Sequence, residues 1–156
     1  MKTIVMILGV LVLLAIVAAV VTQTSSREAE FVAGHAFATM PDGFWKGDTN
    51  LPKGSWQGKT FDAATATGKN VFLENGVNAE RVPFKMYNAP ALWDKGLTVT
   101  RIDYDVPDNP FWLRPALDEV VEVAPGKLLG KIHYRIFGFS VPIGYFWQTQ
   151  SDTINP

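Results

Sequence analysis

The sequence contains no cysteine, and this absence excludes several chemistries at once. Without a thiol there is no disulfide, no cysteine nucleophile, no iron–sulfur cluster, no covalently attached c-type haem and no lipidated cysteine. Histidine is scarce too, because His35 and His133 are the only two, too few for a three-histidine zinc site. We therefore expect neither a metal nor another cofactor.

Basic charge is also lacking. The formal net charge is −1 at pH 7, the sequence pI is near 6.1, and the lysines and arginines form no cluster. Affinity for nucleic acid comes largely from neutralising phosphates, so nucleic acid is excluded as a partner. The sequence has no G-x-G-x-x-G motif, and residues 138–142 depart from G-x-S-x-G because Pro142 stands at the last glycine. We therefore expect a protein that is not an enzyme.

What the sequence does have is a long apolar run near its start. Residues 4–21 carry no charge, and at 1.5 Å per residue they would form roughly 27 Å of helix, close to the ~30 Å hydrocarbon core of a bilayer. The run is longer than a usual signal-peptide core and lacks a clear Ala-x-Ala site, which favours an uncleaved transmembrane helix at residues 1–22. Lys2 before this helix, against Arg27 offset by Glu28 and Glu30 after it, predicts a single-pass protein of the inner membrane with a cytoplasmic N-terminus and a periplasmic body.

The body has the pattern of an all-β domain. From residue 55 onward, short runs of aromatic and β-branched residues are separated by Gly, Pro, Asn and Asp. The predicted strands are 55–61, 70–73, 82–87, 97–104, 117–123, 127–136 and 143–150. Residues 124–127 (Ala-Pro-Gly-Lys) have the signature of a type II turn, which predicts a hairpin around them.

The sequence therefore predicts a mainly β protein: one N-terminal transmembrane helix followed by a small antiparallel β-barrel or β-sandwich. The β domain is placed at residues 42–150, after a juxtamembrane linker at 23–41 and before a C-terminal tail at 151–156.

Two G-x-W-x-G units lie close together, at residues 43–47 and 54–58. A large indole can close a hydrophobic core at the start of a strand, while glycines let neighbouring backbone approach it. On these motifs the chain resembles the lipocalins and the wider calycin barrels, and it is similar to the bacterial domains named for the GXWXG motif. The resemblance implies a calycin-like barrel in which a late basic residue, here Arg135, lies against the tryptophan. As an alternative to a purely structural role, it places Trp45, Trp56 and Arg135 at a pocket for a lipid, quinone or pigment.

A catalytic alternative depends on carboxylates near the middle of the chain. In an extended strand Asp103 and Asp105 would point to one side, about 7 Å apart, as an acid–base pair would require. A calcium loop fits less well, because Asp108 and Arg114 stand where glycine and glutamate are needed. His133 lies between Lys131 and Arg135 on the polar face of its strand, where we expect exposure to solvent. A hydrolase or isomerase using these groups stays open.

Aromatic residues in loops suggest docking to a partner. Residues 105–115 hold three prolines, which predicts a loop that needs a burial place for its aromatic side chains. Trp93, Phe111 and Trp112 lie near Pro or Gly loops and are candidate docking residues. Phe31 and Phe37, in a predicted juxtamembrane helix or interfacial segment at residues 31–40, are two further candidates. For these two, a role as bilayer or partner contacts and a role as caps of the core are equally open.

The leading hypothesis from the sequence is a non-catalytic accessory subunit of a larger membrane complex, of the respiratory or photosynthetic kind. Its partners would be integral-membrane proteins and the lipid bilayer, and tethering would make modest contacts sufficient. The main alternative is a membrane-tethered, lipocalin-like protein that binds a hydrophobic small molecule.

Overall fold

The chain forms a β-barrel preceded by two helices. The structure, a computed structural model, describes residues 2–152. Helix α1 is Lys2–Gln23 and helix α2 is Ser26–Ala33. Helix α2 begins where Ser25 caps it, since the Ser25 side chain accepts a hydrogen bond from the backbone N–H of Arg27.

Eight strands make the barrel: β1 Gly43–Thr49, β2 Trp56–Asp62, β3 Thr67–Glu74, β4 Val77–Pro90, β5 Thr98–Asp103, β6 Ala116–Ala124, β7 Lys127–Ile136 and β8 Phe139–Ser151. Each pairs antiparallel with its neighbours in sequence, and β1 pairs with β8, which closes the barrel. The predicted mainly β class is confirmed, with a barrel rather than a sandwich. The predicted hairpin is confirmed as well, because Ala124 pairs with Lys127 across a turn in which Gly126 has φ +70°.

The strand order gives the barrel two different ends. We call one the mouth end; it carries the connections at residues 50–55, 75–76, 104–115 and 137–138. The other, the closed end, carries the start of β1 and the connections at residues 63–66 and 125–126. The loop at 91–97 also starts from the closed end but folds back over the outer wall, where the backbone N–H of Leu92 donates to Glu119 of β6.

The closed-end half of the interior is filled with aromatic rings. Phe37, from the segment before β1, contacts Trp45 edge to face at 5.7 Å between ring centroids, and Trp45 contacts Phe61 in the same way at 6.0 Å. The backbone N–H of Phe37 donates to Thr100 Oγ1 at 3.0 Å, which fixes this plug to β5. Phe37 is thus buried as a cap of the core, and the expectation of a bilayer or partner contact is corrected.

Phe31 is buried too, on the outside of the barrel wall. Helix α2 lies across β6, β7 and β8, and Phe31 packs there against Val121, Leu129 and Tyr145, with no exposed surface. An aromatic side chain in this position stabilises the attachment of α2 to the barrel by removing apolar surface from water. Phe31 is therefore not available as a docking residue, which corrects that expectation.

The polar outer face of β7 is covered rather than solvated. Lys131 has no exposed surface and forms ion pairs with Glu28 of α2 at 2.9 Å and with Asp94 of the 91–97 loop at 2.6 Å. His133, two residues on, is equally buried, and its Nε2 lies 3.3 Å from Glu119 Oε2. The expected exposure of His133 is wrong because α2 and this loop lie over the strand.

Helix α1 lies along β8, with its N-terminal part toward the mouth end. Its residues Leu11 and Ala15 lie beside Phe137 and Phe139 of the β7–β8 hairpin. On the sides turned away from β8 its apolar side chains are exposed, whereas Ala19 and Thr22 are buried. In the range 2–152, no single helix has the length and apolar composition to cross a membrane. One pair of helical segments meets these two criteria when counted together, with a bend of 65° between them: Gly9–Gln23 and Ser26–Ala33.

Candidate functional site

A cavity of about 460 Å³ occupies the mouth-end half of the barrel interior. Its size falls in the range of about 300–1,000 Å³ that is usual for small-molecule sites. Most of its wall is apolar, and it includes six side chains from four strands and two mouth loops: Leu51, Phe72, Val82, Leu113, Ile132 and Phe146. Because the closed-end half is packed, a ligand could enter only from the mouth.

Four polar side chains form the floor of this cavity: Lys59, Asn70, Tyr104 and Asp118. Lys59 Nζ lies 3.2 Å from Asp118 Oδ2 and donates hydrogen bonds to Asn70 Oδ1 at 2.9 Å and to the Tyr104 hydroxyl at 2.5 Å. The Tyr104 hydroxyl in turn donates to Asp118 Oδ2 at 2.9 Å. We call these four residues the floor cluster.

Lys59 is only 3% exposed, yet its ammonium group is well compensated. Besides Asp118, the rings of Phe146 and Tyr104 lie around Nζ, at 4.8 and 5.2 Å from their centroids. Aromatic faces attract cations, and the attraction is larger where water is excluded. Burial lowers the pKa of Lys59, while the Asp118 carboxylate acts in the opposite direction. We therefore describe Lys59 and Asp118 as a buried ion pair.

The Tyr104 hydroxyl keeps its proton. Burial, followed by the negative charge of Asp118, raises the pKa of Tyr104 well above its ordinary value. A protonated phenol is what the geometry requires, since this hydroxyl is the donor to Asp118 Oδ2. Tyr104 also continues the aromatic packing of the closed end, through an edge-to-face contact with Phe84 at 5.8 Å.

In the floor cluster, the donors of Lys59 and Tyr104 all have hydrogen-bond partners, but one acceptor oxygen, on Asp118, does not. The three protons of Lys59 go to Asn70, Tyr104 and Asp118, and the Tyr104 proton goes to Asp118. Both contacts of Asp118 fall on Oδ2, so that within residues 2–152 its Oδ1 is left to accept a hydrogen bond. The cluster is also neutral as a whole. A ligand that suits it is uncharged and carries a hydrogen-bond donor.

The two tryptophans of the repeated motif have different positions. Trp56 lines the cavity, and its Nε1 donates to Asn70 Oδ1 at 3.0 Å. Trp45 lies in the packed half, where its Nε1 donates to the Asp42 carbonyl. The last glycine of each motif packs against the tryptophan of the other motif, an arrangement we call the crosswise fit. A Cβ on Gly47 would lie 2.3 Å from the Trp56 ring, and a Cβ on Gly58 would lie 2.0 Å from the Trp45 carbonyl oxygen.

Arg135 does not accompany either tryptophan. It lies on the outer face of β7, where Nη2 is 2.9 Å from Asp103 Oδ1 and also donates to the Arg114 carbonyl. The resemblance implied that Arg135 lies against the tryptophan, but the contacts described for Arg135 include neither Trp45 nor Trp56. Of the three residues proposed for a ligand pocket, Trp56 is the one that lines the cavity.

The loop aromatics expected to dock are largely exposed. Phe111 is 85% exposed and Trp112 is 58% exposed in the 104–115 loop, so the chain itself does not supply the burial place that this pair was expected to need. Trp112 also reaches the cavity mouth. Trp93, in the 91–97 loop, is half-exposed and donates from Nε1 to the Ser140 carbonyl at 2.8 Å.

The carboxylates considered for catalysis lie outside the cavity and are held by cations. Asp103 pairs with Arg135, and Asp105 pairs with Arg114 at 2.6 Å. The hydrogen bond from Arg114 is the main reason that the pKa of Asp105 is lowered. Over residues 2–152, the structure brings no three His, Asp or Glu side chains together as a metal ion would need.

The floor cluster was not predicted, although the sequence carried a signal for part of it. In β2, Lys59 is in phase with Phe61, and in β6, Asp118 is in phase with Val120, so each charge stands among inward-facing apolar residues of its strand. A lone charge in the buried phase of a strand requires a partner. The pairing of this lysine with this aspartate depends on closure of the barrel.

Comparisons with known proteins support the fold alone. A scan against models of protein families found no match, and a comparison with curated proteins found none. Among solved structures, one titled "Crystal structure of protein from Thermomonospora curvata" is similar, with a TM-score of 0.57 and 15% sequence identity. The similarity covers 80% of this chain and 84% of that one.

Proposed function

We propose that this protein is a membrane-tethered barrel that binds one lipophilic small molecule in its cavity. The observation that carries the proposal is the cavity itself, which is open at one end and has an apolar wall over a buried polar floor. Pockets of this kind, with few polar groups at fixed places, are typical of small-molecule sites.

The floor cluster limits the chemistry of the ligand. Asp118 Oδ1 is the acceptor still free at the floor, so the ligand's polar end is a hydroxyl or another neutral donor. A carboxylate would meet Asp118 without a donor to neutralise it, and burying an uncompensated charge is costly. Among the classes that the sequence suggested, a lipid-like alcohol or the reduced form of a quinone fits this floor better than a fatty acid.

Helix α1 supports the tethering part of the proposal. Its side chains are apolar from Ile4 to Val21, and they stay exposed on every side except the one that faces β8, where Ala19 is buried. A helix that is apolar on every face belongs in a protein core or in lipid. We propose that α1 holds the barrel at the inner membrane, with the N-terminus in the cytoplasm and the barrel in the periplasm.

The binding proposal is tested with the full chain held in an amphipathic polymer, which avoids competition from detergent. We expect 1-hexadecanol to quench or shift tryptophan fluorescence saturably, and hexadecanoate at neutral pH to bind at least about tenfold more weakly because of the unpaired charge. Equal or reversed affinities would overturn the assignment of the polar end.

A pair of tryptophan variants locates the site. Ile132→Trp places a large ring in the cavity and should abolish binding of 1-hexadecanol, whereas Val77→Trp, at an exposed position outside the barrel, should leave it unchanged. Circular dichroism of both variants verifies folding. Retained affinity in a folded Ile132→Trp protein would show that the alcohol binds elsewhere.

A second candidate function is the accessory subunit of a membrane complex. It is favoured by the exposure of Trp93, Phe111 and Trp112, which leaves a protein partner room to dock. The test is a mild-detergent purification of the tagged full chain and of its Phe111→Ala/Trp112→Ala variant. Stoichiometric integral-membrane partners with the former, lost with the latter, would favour this function; a lone chain in both would remove it.

A further inference from the structure

We propose that the mouth end of the barrel faces the lipid bilayer, with the tip of the β7–β8 hairpin inserted into the lipid beside α1. The lipid-contacting residues are Phe137 and Phe139 at this tip and Phe111 in the neighbouring loop, together the mouth aromatics. The inference rests on the proposed function, because it requires α1 to lie in lipid and it gives the cavity an opening onto the membrane.

The tip of the β7–β8 hairpin carries two phenylalanines that the packing of the core does not require. Phe137 is 87% exposed and Phe139 is 77% exposed, so neither contributes appreciably to the core. Phe137 also has φ +50°, a conformation in which Asn, Asp or Gly is usual and a bulky residue is an outlier. An exposed phenylalanine at a position that disfavours it indicates a contact outside the chain.

The position of α1 sets the depth of the tip. Leu11 and Val12 lie beside Phe137 and Phe139, and the helix continues from there toward its N-terminus. At 1.5 Å per residue, the nine positions before Leu11 extend about 13 Å beyond the tip. If lipid surrounds α1, it therefore reaches the tip, which lies alongside the middle of the apolar run.

Lipid, rather than a protein partner, is the occupant that fits this surface. Phe137 and Phe139 share an apolar groove of about 510 Å³ with α1, and α1 is exposed on the sides turned away from the barrel as well. A single protein partner or a second copy would cover one side and leave the other in water. A bilayer covers every side, and phenylalanine is one of the residues typically buried at its boundary.

The same end of the barrel carries the opening of the cavity. The wall residue Leu51 and the rim residue Lys53 come from the 50–55 connection, and Trp112 comes from the loop that also holds Phe111. Insertion of the mouth aromatics thus brings the opening to the surface of the membrane. A water-insoluble molecule could pass between lipid and cavity without crossing bulk water.

The test uses the natural absence of cysteine, so that one introduced cysteine gives one labelled site. The full chain is reconstituted into phosphatidylcholine vesicles as three variants carrying an environment-sensitive fluorophore: Phe137→Cys at the tip, Lys53→Cys at the rim, and Ala64→Cys at the closed end as control. Doxyl-labelled lipid is then added to the vesicle composition, and quenching by lipid is compared with quenching by aqueous iodide.

We expect lipid quenching in the order 137, 53, 64, with at least about a threefold difference between the first and the last, because doxyl groups quench only probes at membrane depth. Equal quenching at 137 and 64 would overturn the proposal. A tip label shielded from both lipid and iodide would overturn it too, in favour of a protein partner or a second copy. No readout involves a ligand, so failure of ligand binding and failure of this docking geometry are separate results.

Discussion

A lysine and an aspartate are unusual inside a barrel, and the free-energy cost of burying each charge depends on the presence of the other. Lys59 and Asp118 are both almost fully buried, so either one alone would be an uncompensated charge in an apolar interior. Buried pairs of this kind add little net stability, but loss of one partner is severe. The pair is therefore better explained by what it presents to the cavity than by what it adds to folding.

We predict that Lys59→Met lowers the free energy of unfolding by about 3–5 kcal/mol, because Asp118 is left charged and unpaired. The double variant Lys59→Met/Asp118→Asn should recover a large part of this loss, since no charge remains. Chemical unfolding of the full chain in mild detergent, followed by circular dichroism, measures both. A double variant as unstable as the sum of its two single changes would contradict the ion-pair description.

A second residue-scale prediction concerns alkaline pH. The raised pKa of Tyr104 means that above pH 10 the unfolded chain releases a proton that the folded chain keeps, so stability falls as pH rises. Tyr104→Phe removes this contribution, which is at most about 1.4 kcal/mol per pH unit. We expect the unfolding temperature of the variant to decline less steeply above pH 10, whatever its value at pH 7. Parallel slopes would count against a buried, protonated Tyr104.

At the scale of elements, the repeated G-x-W-x-G units act as a joint between β1 and β2. Lys46 pairs with Gly58 in the register of these strands, and Gly47 leaves the space that the Trp56 ring fills. The motif therefore describes how two adjacent strands pack around two indoles. Its first unit lies in β1, a strand that the sequence pattern did not predict, because Gly and Asp interrupt its alternation.

We predict that Gly47→Ala destabilises the barrel by about 1–3 kcal/mol through overpacking against Trp56. Combining it with Trp56→Leu should make the two costs less than additive, because the smaller side chain leaves room for the methyl group. Gly9→Ala, where a Cβ would meet nothing, is the matched control and should leave barrel stability unchanged. Thermal unfolding of the four variants decides the matter; strict additivity would rule out the crosswise fit.

Prediction from the sequence succeeded where local chemistry decides the element. The period-two pattern and the Pro-Gly turn placed β7 at its observed bounds, and the three prolines of 105–115 placed a loop. It failed where distant segments meet. Phe31, Phe37 and His133 are buried by α2, by the plug before β1 and by the 91–97 loop, and no local pattern shows which surface such segments will cover. The floor cluster was missed for the same reason.

At the scale of the whole molecule, the proposed attachment to the membrane should be apolar rather than electrostatic. The chain carries a formal net charge of −1, and in the proposed arrangement the exposed mouth aromatics and α1 would make the hydrophobic contact. We predict that the full chain stays with phosphatidylcholine vesicles in about 1 M NaCl, where surface charge interactions are screened. Flotation on a density gradient measures this. Release by salt would show that ionic contacts hold the protein there.

Closure by the first and last strands also governs how the chain acquires its shape during synthesis. Until β8 has left the ribosome, β1 and β7 each expose an unpaired row of backbone groups, and such rows readily pair with other chains. A product that stops after the 137–138 turn would keep both open edges instead of forming a smaller stable barrel. Premature termination late in the gene should therefore yield an aggregation-prone sheet that cellular quality control must remove.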